Sequence, residues 1–350
     1  MQSAERELIV CLPCYRAYEA RYKTFALAAE HGYRVRMALL HGPHPPTEEF
    51  PDIEQITVPE HLNILTRRRF WKQWFETLPW DRPTILQDTF LAQMGFYKHR
   101  RDFLGQSRPV DIRNVLYLVS PTPGFLFQGH WKQPRSVPMS AQEILYEWRL
   151  QFPRVVMEWL SCRFMDGVIA NSWQTALEAA RYYGVSQKYC LGISAEADPF
   201  FTPGERNRKA LGLRDDEVIL LYVGNFLRRK GIDILIQAVD VLRQMLPNVR
   251  LVMVGGGNKS GRAWYDQFIV DADLRSRITL VGRVDREVLR EYYRAADVFL
   301  YPTRHEGSPR VVKEALGVGC PVVCSDVPGI RMIDPDEQSL IYCTKNQPEE

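Results

Sequence analysis

Short apolar runs alternate with segments of helical periodicity along the first half of the chain. The runs cover residues 8–12, 35–40, 84–86, 115–119 and 167–170, and a helical pattern covers 21–31. A continuous apolar run of this length predicts a strand that is buried on both faces. Strands that alternate with helices indicate a parallel sheet with helices packed on it. The stretch 43–59 is proline-rich and poorly periodic, so we predict a loop there.

The second half repeats the alternation more clearly. Strands are predicted at residues 218–223, 249–254, 278–281, 298–301, 321–324 and 340–343, and helices at 232–244, 288–295 and 311–316. The segment between the halves contains prolines and a glycine, which is typical of a linker. We therefore predict two doubly wound α/β domains, over residues 1–199 and 213–350, joined by a linker over 200–212. Such sheets bind ligands beyond the carboxyl ends of their strands, so we expect a cleft between two sheet edges.

Composition narrows the class of protein. The chain has 350 residues, of which 45% are hydrophobic and 25% charged, as in globular proteins. Lys and Arg number 45 against 42 Asp and Glu, so we expect no nucleic-acid partner. No run approaches the ~18 apolar residues of a membrane span, and we expect a cytoplasmic protein. Seven scattered cysteines make a poor disulfide framework, and we interpret Cys11 and Cys14 as packed side chains rather than metal ligands.

The segment after the predicted strand at 298–301 carries the strongest chemical signal. Ser308 is a favourable N-cap and Pro309 suits the first helical position, so the sequence predicts a helix start here. Unpaired backbone N–H groups and the positive end of the helix dipole make such a start suitable for a phosphate. The alternatives are a solvated loop acid for Glu306 and a local ion pair between Glu314 and Arg310.

A cluster of cationic residues precedes the predicted helix at 232–244. Arg228, Arg229 and Lys230 follow a strand directly, and arginine and lysine are the side chains that bind diphosphates. A solvated basic turn is the alternative. The glycines at 255–257 match neither the dinucleotide fingerprint nor a P-loop, so an NAD-dependent oxidoreductase is the least favoured class.

Together these segments resemble the C-terminal domain of retaining glycosyltransferases of family 4. The matching features are the turn from Gly224 to Lys230, the glycines at 255–257, the residues 282–284, the residues 296–299, the glutamates Glu306 and Glu314 with seven residues between them, and the residues 319–323. The resemblance implies the GT-B fold, with two Rossmann-like domains that face a central cleft. Residues 166–172 and 198–201 are similar to the segments that end the N-terminal, acceptor-binding domain of that family.

The resemblance also implies roles for single residues. Lys230 would bind the diphosphate of a nucleotide sugar, Glu306 would face the transferred sugar, and both would be catalytic. Glu314 would hydrogen-bond the ribose, and the backbone near Arg283 and Val284 would contact the base. The full implied donor-binding set is Gly224, Asn225, Arg228, Arg229, Lys230, Arg283, Val284, Glu306, Gly307, Ser308, Pro309, Arg310, Val311 and Glu314. No metal or cofactor is expected, because fixed donors would stabilise the leaving diphosphate.

Several features depart from the family pattern. Asn225 stands where the family has arginine, and Arg228 or Arg229 would supply the charge. Residues 13–16 replace a glycine pair, and the nearest histidine after the strand at 115–119 is His130. The chain ends before the family's closing helices, so we expect either a truncated sequence or a missing C-terminal closing helix, and either would weaken the coupling of the domains.

The acceptor is unidentified, and we expect it on the N-terminal domain. Apolar residues recur at helical spacing at Phe70, Trp71, Trp74, Phe75 and Leu78, with cations at 67–69 and 72. A core helix is favoured, and a peripheral membrane contact with anionic lipid or a lipid-linked acceptor is the alternative. We expect Trp131, Trp148 and Trp159 in the core rather than stacked on sugar rings.

Three functions remain open at this point. A retaining glycosyltransferase is the first hypothesis. A sugar-nucleotide epimerase on the same fold would cradle the same diphosphate but would need no acceptor. A non-catalytic nucleotide-sugar-binding protein would fit the missing glycines and histidine of the N-terminal half.

Overall fold

The computed structural model describes residues 6–12, 19–39, 48, 50–59, 69–70, 73–74, 76–77, 81–88, 112–118, 141–186, 190–192, 197–256 and 265–344. These residues contain two parallel sheets, which belong to two separate units of the chain. The strands of the first sheet end at Gly192 and those of the second begin at Val218. The predicted domain limits at 199 and 213 stay predictions.

The first unit contains a seven-stranded sheet in the order β3-β2-β1-β4-β5-β6-β7, with every pair parallel. The continuous apolar runs of the sequence form its centre, where Val10 and Leu116 are fully buried. The strands are β1 Arg6–Leu12, β2 Tyr33–Leu39, β3 Ile53–Thr57, β4 Thr84–Asp88, β5 Ile112–Leu118, β6 Gly167–Ala170 and β7 Cys190–Gly192. The helices whose bounds are described in this part of the chain are α1 Glu19–Glu30, α2 Ala141–Phe164 and α3 Trp173–Tyr183. Residues 69–70, 73–74 and 76 are also helical, and Phe70 and Trp74 are half-buried.

The predicted loop at 43–59 is wrong, because it contains the strand β3. The strand pairs in parallel with β2 and buries Ile53 and Ile56. The prolines at 51 and 59 flank the strand, so they limit its length without removing a hydrogen bond from its interior. Proline content alone therefore gave the wrong interpretation here.

The side chain of Trp159 is not in the core, so that prediction is wrong. It lies on α2 with 43% of its surface exposed, on a helix that also exposes Phe152. The guanidinium of Arg163 lies 5.5 Å from the centre of the Trp159 ring and covers part of it. None of the helices within the described ranges is both long and apolar enough to cross a bilayer. Other predictions fall outside the described residues, namely those on residues 13–16, 67–68, 71–72, 75 and 78, on His130 and Trp131, and on the side chain of Trp148.

The second unit contains a six-stranded parallel sheet in the order β10-β9-β8-β11-β12-β13. Its strands confirm the predicted runs to within a few residues and are β8 Val218–Asn225, β9 Val249–Gly256, β10 Ile278–Gly282, β11 Val298–Tyr301, β12 Val322–Ser325 and β13 Ile341–Cys343. The helices are α4 Ile232–Met245, α5 Ala272–Ser276, α6 Arg286–Ala295, α7 Arg310–Val318 and α8 Pro328–Arg331. Two 3₁₀ turns, Lys209–Leu211 and Arg228–Lys230, flank β8 on either side in the chain.

The strand order reverses between β8 and β11. From β8 the chain runs outward through β9 and β10, and from β11 it runs the other way through β12 and β13. The chain therefore leaves β8 and β11 toward opposite sides of the sheet, and a reversal point of this kind is where parallel sheets bind ligands. The core below this point is tight, with Leu221 and Phe299 fully buried.

Candidate active site

The segments that leave β8 and β11 bring Lys230 and Glu306 together. Lys230 ends the 3₁₀ turn after β8, and Glu306 lies in the loop after β11. The Nζ atom of Lys230 forms an ion pair with Oε1 of Glu306 and donates a hydrogen bond to the hydroxyl of Tyr301 at 2.6 Å. The side chains of Lys230 and Glu306 are only 13% and 10% exposed. Two residues 76 positions apart thus form one buried charged pair.

Further donors converge on the same carboxylate oxygen. Oε1 of Glu306 accepts hydrogen bonds from the hydroxyls of Tyr301 at 2.9 Å and Thr303 at 3.1 Å, and it lies 3.3 Å from the guanidinium of Arg229. In the part of the chain that the structure describes, no hydrogen-bond donor reaches the other oxygen, Oε2. Among the described residues, the carboxylate is therefore held through Oε1.

The cluster keeps Glu306 ionised. Burial by itself would raise the pKa of Glu306, but the positive charges of Lys230 and Arg229 outweigh it and hold the pKa at about 2. Burial lowers the pKa of Lys230, and the carboxylate counteracts that shift. Burial raises the pKa of the Tyr301 phenol well above its usual value, so the phenol remains a hydrogen-bond donor. Two cations face one carboxylate, and the excess positive charge suits an anionic ligand.

The position of Lys230 depends on the residue that follows it. Gly231 has a φ of 70°, in the left-handed region, and a Cβ atom there would lie 1.8 Å from the carbonyl oxygen of Pro302. Only glycine fits a backbone that turns so sharply and passes so close to a neighbouring chain segment. Helix α4 begins directly after it, so the turn, the helix start and the exit of β11 are packed together.

A buried ion pair fixes the turn against the β11 loop. Arg304 binds Asp233 through two hydrogen bonds of 2.8 and 2.7 Å, and its side chain also donates to the carbonyl of Arg228. The backbone N–H of Arg304 donates to the carbonyl of Arg229 at 2.8 Å. Asp233 is fully buried at the first turn of α4. These contacts hold the two loops at a fixed separation.

Helix α7 begins one residue later than predicted. Pro309 has a ψ of 116°, which is extended, so Pro309 occupies the N-cap position and the first helical residue is Arg310. The prediction of Ser308 as the N-cap is therefore wrong. The loop before the helix is packed from below by α8, since a Cβ atom at Gly329 would lie 2.0 Å from the carbonyl oxygen of Glu306.

The second glutamate, Glu314, has different neighbours. It is buried on α7, accepts a hydrogen bond from the hydroxyl of Tyr293 at 3.1 Å, and lies 3.8 Å from the guanidinium of Arg310. Burial raises the pKa of Glu314, and the charge of Arg310 opposes the shift. The local pair with Arg310 that was the alternative for Glu314 is thus present, alongside a buried contact with α6.

The remaining predicted residues lie at the end of β8, after β10 and around the start of α7. Gly224 and Asn225 end β8, and the carbonyl of Asn225 accepts a hydrogen bond from Tyr222 at 3.0 Å. Arg283 is exposed and Val284 half-buried after β10, the outermost strand of the described sheet, two strands away from β8. The other predicted residues are distributed as follows: Arg228 is half-buried, Gly307 and Pro309 are buried, Ser308 and Val311 are half-buried, and Arg310 is exposed.

The sequence missed several residues that build the cluster. Tyr301 ends an apolar strand, where a tyrosine is typical of a packed core, and Thr303 carries no motif signal. Arg304 and Asp233 are 71 positions apart, so their spacing could not reveal a pair. The described residues contain no group of three or more His, Cys, Asp or Glu side chains that could hold a metal ion.

Comparison with known families matches the second unit. Residues 204–350 fit the family described as glycosyl transferases group 1. An uncharacterized glycosyltransferase of Methanocaldococcus jannaschii is 31% identical over 142 residues, which cover 41% of this chain and 36% of that protein. A D-inositol 3-phosphate glycosyltransferase of Thermobifida fusca is 32% identical over 176 residues, covering 47% and 40%. The chain thus spans less than half the length of these relatives.

Solved structures match almost the whole chain at low sequence identity. Sucrose-phosphate synthase from Thermosynechococcus elongatus aligns with a TM-score of 0.72 at 22% identity and covers 98% of this chain and 87% of its own. HepE of Anabaena, solved in complex with UDP-glucose, aligns with a TM-score of 0.69 at 17% identity, with coverages of 98% and 86%. At these identities the likeness shows the fold, which confirms the predicted GT-B class.

Proposed function

We propose, from the match of residues 204–350 to the glycosyl transferases group 1 family, that the protein is a retaining glycosyltransferase with a nucleotide-diphosphate sugar as donor. The observation that carries the proposal is the cluster of Lys230, Arg229 and Glu306 where the strand order reverses. This is where a parallel sheet binds its ligand, and the cluster has the excess positive charge that a diphosphate needs.

The cations would act on the leaving group. When the bond between sugar and phosphate breaks, negative charge grows on the diphosphate, and donors fixed beforehand stabilise that charge. Lys230 and Arg229 would supply two of them, and the free backbone N–H groups at the start of α7 would supply others. In this proposal these groups take the place of a divalent metal, so activity should survive treatment with a chelator.

Glu306 would act as an ionised carboxylate. With its pKa at about 2, the carboxylate holds no proton to give at neutral pH. Its Oε2 atom would accept a hydrogen bond from a sugar hydroxyl and would favour positive charge on the sugar ring as the leaving group departs. The acceptor would then attack the face that the leaving group vacates, which retains the configuration of the sugar.

Glu314 would bind the ribose of the nucleotide. The Tyr293 hydroxyl donates a hydrogen bond to its Oε2 atom, and its Oε1 atom lies 3.8 Å from the guanidinium of Arg310 at the start of α7. The HepE structures contain UDP or UDP-glucose, so UDP sugars are the first donors to test. An acceptor site on the first unit and a cytoplasmic location belong to the same proposal.

The test is a donor screen followed by product analysis. A nucleotide sugar at 100 times its Kd adds about 2.7 kcal/mol to the stability of the folded protein, which a thermal-shift measurement detects. For each donor that binds, we expect release of the nucleotide diphosphate and transfer of the sugar with unchanged anomeric configuration, read by NMR. Inositol phosphates are the first acceptors to test, because one of the similar proteins is a D-inositol 3-phosphate glycosyltransferase.

Other outcomes of the same screen separate the alternatives. An isomerised nucleotide sugar formed without an acceptor would indicate an epimerase. Binding with neither hydrolysis nor transfer, across a broad acceptor panel, would indicate a non-catalytic binding protein. A product with inverted configuration would contradict the retaining mechanism but would still be consistent with the proposed donor site.

A further inference from the structure

Tyr301 connects the two charged residues of the site. It is the last residue of β11 and is 1% exposed. Its hydroxyl accepts a hydrogen bond from Nζ of Lys230 at 2.6 Å and donates one to Oε1 of Glu306 at 2.9 Å. A hydroxyl can do both at once, because it carries one donor and two acceptor positions.

The ring of Tyr301 is held by the core of the sheet. It stacks on Tyr222 of β8, with centroids 6.4 Å apart and planes at 22°, and on Phe299, with centroids 5.8 Å apart and planes at 19°. The hydroxyl position is therefore fixed by packing that does not depend on the charged residues.

We propose that Tyr301 is a positioning residue of the donor site, whose hydroxyl sets Lys230 and Glu306 in one geometry and keeps Oε2 of Glu306 available to the sugar. The inference rests on the proposed function and adds to it a residue without charge or motif. Without the hydroxyl, both long side chains would lose a fixed reference point, and Lys230 would be free to follow Glu306 away from the diphosphate.

Tyr222 offers a matched control. It is a second fully buried tyrosine, stacked on Tyr301 in the neighbouring strand. Its hydroxyl donates to the backbone carbonyl of Asn225, and within the described ranges it forms no hydrogen bond with Lys230 or Glu306. Tyr222→Phe and Tyr301→Phe therefore each remove one buried hydroxyl from the same stack, and only the second removes a contact with the charged pair.

The experiment compares both variants with the wild type. Transfer or hydrolysis of UDP-glucose gives kcat and KM, calorimetry gives the affinity for UDP, and circular dichroism selects a temperature at which every protein is folded. We expect Tyr301→Phe to lower kcat by about tenfold or more, because hydrogen bonds to charged groups are lost where the transition state needs them. KM should change less than kcat, and Tyr222→Phe should stay within about twofold of wild type in both.

Each outcome bears on one of the two proposals. Equal kcat values in Tyr301→Phe and Tyr222→Phe would overturn the positioning role of Tyr301. A Tyr301→Phe protein that is unfolded at every temperature tested would also overturn it, because the hydroxyl would then be needed for folding. A wild type that neither binds nor uses any nucleotide sugar would contradict the proposed function instead. If the wild type binds UDP without turnover, the UDP affinities decide, and a weaker affinity in Tyr301→Phe alone supports the positioning role.

Discussion

Two 3₁₀ turns of the second unit have similar backbone conformations but different surroundings. The linker turn, Lys209–Leu211, ends at Gly212 with a φ of 69°, and the site turn, Arg228–Lys230, ends at Gly231 with a φ of 70°. Each contains a lysine. Lys209 is exposed, however, whereas Lys230 is buried against Tyr301 and Glu306. Similar local geometry therefore yields a solvated turn in one place and a charged site in the other.

Both turns are also held by an arginine paired with an aspartate. Arg208 precedes the linker turn and lies 2.6 Å from Asp297, while Arg304 holds the site turn and lies 2.7 Å from Asp233. What differs is the end of β8 that each turn adjoins. The linker turn precedes β8, and the site turn follows its carboxyl end, where the strand order reverses. The comparison indicates that position on the sheet, rather than the turn itself, creates the site.

The largest contrast is expected between the two lysines. Lys230→Met should lower kcat about 100- to 1000-fold, as removal of one donor to a developing anion does. Lys209→Met should leave kcat within about twofold, since its side chain is exposed. Steady-state kinetics with the donor found in the screen measures kcat for both variants. Equal decreases in kcat would contradict a special role for the site turn.

The second contrast lies in the two aspartates. Asp233→Asn leaves Arg304 buried without its counter-charge and should cost about 3 kcal/mol of unfolding free energy. Asp297→Asn should cost about 1 kcal/mol, because Asp297 is 30% exposed and Arg208 keeps three backbone carbonyls as acceptors. Urea denaturation measures the unfolding free energy of both variants. A larger decrease in Asp297→Asn than in Asp233→Asn would contradict the stronger role that we assign to the Arg304–Asp233 pair.

The third contrast uses the two glycines. Gly212→Ala meets no atom within 4 Å and should cost about 1 kcal/mol, the strain of a left-handed alanine. Gly231→Ala carries the same strain and in addition places its Cβ atom 1.8 Å from the carbonyl oxygen of Pro302. We expect a loss of about 3 kcal/mol, measured in the same denaturation series. Equal losses would mean that the site turn is not packed against β11.

The smallest contrast is a pH dependence. The pKa of Glu306 is lowered from 4.5 to about 2 in the folded protein, so its ionised form adds stability above pH 4.5, and this contribution is lost as the pH falls toward 2. Glu306→Gln should therefore flatten the fall in unfolding free energy over this range. Glu205→Gln, at an exposed position of the linker, should leave the slope unchanged. Parallel curves for wild type and Glu306→Gln would contradict the charged pair.

Sequence patterns predicted the strands of the sheets more accurately than they predicted the contacts between side chains. The strands β8 and β11 followed from uninterrupted apolar runs, because burial on both faces leaves no room for polar positions. The strand β3 was missed because its flanking prolines resemble those of a loop. The start of α7 was misplaced by one residue, since the extended ψ of Pro309 depends on its packing and cannot be read from residue types.

The charged residues of the site could be predicted, but not their partners. Lys230 and Glu306 carry motif signals, and the rule that ligands bind at carboxyl ends placed them at one sheet edge. The hydroxyl of Tyr301 and the Arg304–Asp233 pair arise only when distant segments pack, so no local pattern announces them. The sequence thus predicted that Lys230 and Glu306 lie at one sheet edge, and the structure adds the contacts that hold them there.

The central claim is that the site turn binds a diphosphate through Lys230. Calorimetric titration of UDP into wild type, Lys230→Met and Lys209→Met tests it most directly. The account predicts that Lys230→Met weakens UDP binding by about tenfold or more, as expected for a lost hydrogen bond between charged groups, while Lys209→Met matches wild type. An affinity in Lys230→Met equal to that of wild type would contradict it.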